Sequence, residues 1–94
     1  MTRRYISELR FSASVEDKLA SHGVEALEVL EVLWDGPRFF RDKVDGRTKM
    51  IGKTPSGRLL TVIVEPTQDD PTSYDVITAW AANKAERTAW GRAK

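Results

Sequence analysis

The stretch Gly57-Arg58-Leu59-Leu60-Thr61-Val62-Ile63-Val64-Glu65 constrains the fold more than any other part of the chain. Its middle is almost unbroken apolar residue, rich in β-branching, which favours a strand buried on both faces. Such a strand cannot lie at a sheet edge. It needs strand neighbours on both sides and a helix over at least one face, so it predicts the centre of a small layered domain of helices and strands.

The flanking sequence supplies those partners. Tyr5 to Phe11 alternates imperfectly and predicts a short edge strand. Ser14 followed by Asp17 resembles a capping box at a helix start, with Val15, Leu19 and Ala20 as the inward candidates and Gly23 as the stop. Val24 to Trp34 is the strongest helical pattern. Glu25, Glu28, Glu31 and Asp35 form one polar stripe for water, and the apolar remainder predicts burial on the sheet. Asp35-Gly36-Pro37 ends that helix.

Arg38–Val44 and Arg47–Lys53 predict two strands around Asp45-Gly46, a preferred type I′ hairpin turn. Thr54-Pro55-Ser56-Gly57 fits a type I turn that hands the chain into the central strand. Tyr74 to Trp80 predicts a last strand with Tyr74, Val76, Thr78 and Trp80 on one face. Asn83 and Glu86 form a capping box for a helix of about two turns that ends near Gly91. The order is β-α-α-β-β-β-β-α, an α+β layer structure.

With 94 residues, a single domain spanning 1–94 is expected. The chain lacks cysteine, which excludes a disulfide scaffold and any Cys-ligated metal, and one histidine cannot build a multi-histidine centre. No cofactor is expected. No apolar run approaches the ~20 residues of a membrane span. Met1-Thr2-Arg3-Arg4 lacks the apolar segment of a secretory signal, so a cytoplasmic location is expected. Charge is uneven: residues 1–37 sum to −3, residues 38–61 to +5 and residues 62–94 to −1. The basic middle suits a polyanion, and Lys and Arg that merely solvate an exposed hairpin are the alternative.

The order of motifs resembles the BrnT family of bacterial type II toxins, small ribonucleases of the RelE/ParE-like fold. The residues that carry the resemblance are Ser21-His22-Gly23-Val24, the Glu-rich helix that follows, and Asp35-Gly36-Pro37. Arg47, Ile51-Gly52-Lys53-Thr54, Gly57 to Val64, Val76 to Ala79 and Asn83-Lys84-Ala85-Glu86-Arg87 continue it. The match runs from about residue 12 to 92. It implies a small, twisted antiparallel sheet of four to five strands, packed by two N-terminal helices, with a short C-terminal helix.

The resemblance also implies a metal-independent endoribonuclease, inhibited by a cognate antitoxin and bound to operator DNA only through that complex, as a homodimer or a heterotetramer with the antitoxin. An acidic or amphipathic antitoxin segment would cover the basic face. Carried over by motif position, Arg47, Arg58, Lys84, Arg87 and His22 are the catalytic candidates, and Arg41, Lys43, Lys49, Lys53 and Trp80 are the RNA-binding ones. His22 before Gly23 also suits a helix C-cap. Two positions depart from the family pattern. Trp80 stands where Arg usually follows Ser-Ala, and Trp90 stands where Tyr is usual. These departures leave several alternatives: the chain is weakened, cuts differently or only binds a protein or nucleic acid as an interaction module; Trp80 and Trp90 stack on unpaired bases; or the two simply pack together.

Overall fold

The computed structural model describes residues 6–41 and 46–92. Eight elements follow in chain order: β1 (Glu8–Arg10), α1 (Ala13–Ser21), α2 (Ala26–Trp34), β2 (Arg38–Arg41), β3 (Thr48–Lys53), β4 (Leu59–Pro66), β5 (Ser73–Ala81) and α3 (Lys84–Arg92). The five strands form one sheet in the order β1-β5-β4-β3-β2. The apolar stretch is therefore its central strand, as its composition predicts.

Alternation along β4 divides the core between two faces. Leu60, Val62 and Val64 point to α1 and α2, where they meet Leu19, Val24, Val29, Val32, Met50 and Val76. Val29, Val32, Met50, Leu60, Val62 and Val64 have no exposed surface. Burial of such side chains contributes roughly 1.5–3 kcal/mol each, so this face dominates stability. On the other face Leu59 and Ile51 form a smaller cluster with Ala82, covered by Phe40 and by Trp90 of α3. Both faces of the central strand are thus covered, one thickly and one thinly.

The local signals that shape the elements are short-range. Asn83 Oδ1 accepts from Glu86 N–H and Glu86 Oε1 accepts from Asn83 N–H, both at 2.9 Å, which completes the expected capping box. Gly57 N–H donates to Thr54 O at 2.8 Å and Gly57 adopts φ +90°, closing the turn before β4. Gly52 is buried beneath α2: a Cβ there would lie 2.8 Å from Val32 Cγ1 and 3.2 Å from Pro37 Cβ.

Several details differ from expectation. β1 runs parallel to β5, so the sheet is mixed rather than wholly antiparallel. The cap of α1 is Ser12, whose Oγ accepts from Val15 N–H at 3.1 Å, two residues before the expected Ser14. Arg41 pairs with Thr48. A two-residue turn at Asp45-Gly46 would instead place Arg41 opposite Met50, so the pairing is displaced by two residues. Asp45 itself lies outside the described residues.

The outer surface of α2 also departs from the pattern. Leu27 and Trp34 are 57% and 69% exposed, whereas a helix apolar around most of its circumference predicted their burial.

Candidate nucleic-acid interface

The face that α3 covers only in part is built by a register change in β5. Ile63 pairs with Thr78 but Val64 pairs with Val76, so Ile77 is an extra residue opposite β4. A bulge of this kind exchanges the faces of the residues on either side of it. Tyr74 and Val76 enter the large core, whereas Trp80 lies on the α3 side, where its indole N–H reaches Glu86. The four residues expected on one face are therefore shared between two.

Glu86 is the hub of this side. Its buried carboxylate accepts from Trp80 Nε1 at 3.0 Å and from Asn83 N–H at 2.9 Å, and Lys49 Nζ lies 3.5 Å away. Burial alone would push the carboxyl up. The Asn83 N–H, the Trp80 indole and the Lys49 charge outweigh that, and the net shift is downward. Glu86 is consequently an ionised structural acceptor that orients Lys49 and Trp80, with no free proton to donate at neutral pH.

Along the sheet from this hub, Arg38 stacks its guanidinium 3.9 Å from the centre of the Trp90 ring, and Lys53 Nζ lies 5.2 Å from the same centre. Arg38 Nη1, Trp90 Nε1 and Thr61 Oγ1 are buried without a hydrogen-bond partner among the described residues. Trp80 and Trp90 thus act separately, one bonded to a carboxylate and the other stacked on cations. Arg38 was absent from the candidate set, although it alternates with Phe40 on one side of the predicted strand. Ile63 and Thr78, both half-buried, lie next to Lys49 in register and continue this face.

The sequence candidates divide between two places. Lys49, Lys53 and Trp80 lie on the α3 side, and Lys84 and Arg87 are exposed on α3 itself. Arg87 Nε donates to Ala82 O at 3.3 Å. Arg47, half-buried, immediately precedes β3. Lys84 occupies the first turn of α3, where the positive end of the helix dipole disfavours a cation, so helix stability does not account for it.

Arg58 belongs elsewhere. Its Nη1 lies 2.9 Å from both carboxylate oxygens of Glu28 on α2, and its Nη2 approaches Gly23. This ion pair lies on the α1–α2 side of the sheet, opposite α3. His22 stands beside it as the exposed C-cap of α1, followed by Gly23 at φ +72°. Arg41 is positioned through its backbone pairing with Thr48, and its side chain, like all of Lys43, lies outside the described residues.

Among the described residues no group of three or more His, Cys, Asp or Glu is gathered as a metal site, and no helix is long and apolar enough to cross a membrane.

By sequence, no family model and no curated protein matches the chain. By structure, it is similar to the ribonuclease toxin BrnT of Brucella abortus, with a TM-score of 0.63 and 20% identity. The superposition covers 82% of this chain and 97% of BrnT. The fold is therefore BrnT-like, an α+β arrangement of three helices on a five-stranded mixed sheet.

Proposed function

We infer that this chain is the toxin of a toxin–antitoxin pair and acts on RNA through the α3 side of the sheet. The observation that carries the reading is the placement of Lys49, Lys53 and Trp80 on that side of the sheet, with Lys84 and Arg87 exposed on the helix that packs there, within a fold like that of a ribonuclease toxin. Cations on a rigid sheet stabilise the charge that develops on phosphate when a neighbouring 2′-hydroxyl attacks it. As the P–O2′ bond forms, the 2′-hydroxyl proton passes to water; the P–O5′ bond breaks to leave a 2′,3′-cyclic phosphate, and the released 5′-oxygen takes up a proton from water. The unpaired strand would lie along Thr78 and Ile63 beside Lys49. Lys84 and Arg87, exposed on α3, supply further cations for its phosphates. An antitoxin holds the chain inactive, and operator DNA is contacted only through that complex.

A second reading has specific support. Glu86 already engages Lys49 and Trp80, and Trp90 is covered by Arg38 and Lys53. Such prior pairing suits a surface that binds RNA or a protein without cutting. Incubation of purified chain with RNA separates the two readings. Fragments ending in 2′,3′-cyclic phosphate, together with growth arrest on expression, are the expected result. Intact RNA and harmless expression would refute the toxin reading. Binding that weakens steeply with salt but leaves RNA uncut would establish the second.

A further inference from the structure

We propose that the outer face of α2 is a docking surface for a basic amphipathic helix of a protein partner. This rests on the proposed function, in which that partner is the antitoxin, and it moves the expected contact away from the basic face. Among the described residues, the two large apolar side chains most exposed to water are both on α2, Leu27 at 57% and Trp34 at 69%. They stand seven residues apart and therefore share one stripe of the helix. Leu30, half-buried, joins them on one flank. Val29 and Val32, fully buried, anchor the opposite side of α2 to the sheet. The apolar ridge thus rides on a rigidly held helix, and exposed aromatic anchors of this kind mark interaction sites.

Charge identifies the occupant. Glu31 and Asp35 line the other flank of the ridge, and Asp35 caps the negative end of the helix dipole. Residues 24–37 contain four carboxylates and no Lys or Arg. Glu28 is already paired with Arg58 and Glu25 caps the other end of the helix, so Glu31 and Asp35 are the charges beside the ridge. A second copy docked through the same face would bring these carboxylates together, which disfavours self-association. A helix with leucines along one stripe and lysines or arginines beside it meets both features at once.

The probe is a synthetic helical peptide with leucines at three- and four-residue spacing and lysines elsewhere, compared with the same peptide carrying glutamates. Binding is read by titration calorimetry and by Trp34 emission, taken as the difference between the wild type and Trp34→Phe. The lysine peptide is expected to bind and to shift Trp34 emission to the blue. Leu27→Ser and the pair Glu31→Lys and Asp35→Lys should each weaken binding at least tenfold. Leu27, Trp34 and Asp35 are exposed and Glu31 is half-buried, so circular dichroism should show the fold retained, and RNA cleavage by these variants should be unchanged. Equal binding of the two peptides, or lysine-peptide binding that Leu27→Ser leaves intact, would overturn the proposal. So would a concentration-dependent dimer that Trp34→Ala dissolves. A wild type that binds the lysine peptide but leaves RNA intact refutes the RNA reading and leaves the docking surface standing.

Discussion

Glu86 is where one side chain joins local and tertiary structure. It closes the N-terminus of α3 with Asn83, takes the Trp80 N–H and faces Lys49. Its carboxyl is held below the usual range, near 4.5, so it releases its proton more readily folded than unfolded. The stability this supplies is complete above the unfolded value and disappears as pH falls through the folded one. Glu86→Gln should therefore destabilise the chain by about 1–2 kcal/mol at neutral pH, through weaker acceptance from two N–H donors and loss of the Lys49 contact. Urea midpoints at successive pH values should show the difference between wild type and variant shrinking as pH falls below that range. A difference that widens in acid would show that the carboxylate is not the stabilised form.

The capping box was legible because its two residues are three apart in sequence. The Trp80 contact was not, because it depends on how β5 pairs with β4.

The same division holds for the elements. Continuous apolar character identified β4, and Pro55 with Gly57 identified the turn before it, since both signals are confined to a few neighbouring residues. The bulge at Ile77 and the displaced pairing of β2 are choices of register between successive strands, and the parallel pairing of β1 with β5 joins segments far apart in sequence. No single segment encodes them. They have functional weight, because the bulge carries Trp80 from the face of Val76 to the face of α3.

Packing of α2 on the sheet provides a test at this scale. Gly52 lies under Val32 and Pro37 with no room for a methyl group. Gly52→Ala should destabilise the fold by roughly 1–3 kcal/mol through overpacking, measured as a lower urea midpoint with an unchanged slope. An unaffected midpoint would mean that α2 shifts outward without cost. The exposed Leu27 and Trp34 escaped the periodicity reading for a related reason. Hydrophobicity marks residues that leave water, and a partner covers them as well as a core does.

Across the whole molecule, the sheet separates what the linear pattern had grouped. Arg58 and His22 fall on the α1–α2 side, with Arg58 neutralised by Glu28, while Lys49, Trp80, Lys84 and Arg87 fall on the other. Sequence showed which residue types were present and that the middle of the chain was basic. It gave no means of assigning each cation to a face, because Arg58 follows a turn and α3 folds back over the sheet.

Cleavage of RNA by paired variants measures the central claim directly. Lys84→Ala combined with Arg87→Ala should lower the rate by about 10–1000-fold, as loss of cations beside a reacting phosphate does, with the fold intact by circular dichroism. His22→Ala and Arg58→Ala, on the far side, should leave cleavage within about twofold of wild type, Arg58→Ala destabilising the chain by at most about 1 kcal/mol. Loss of cleavage in His22→Ala or Arg58→Ala, with the α3 pair unaffected, would contradict the account and move the site to the other side of the sheet.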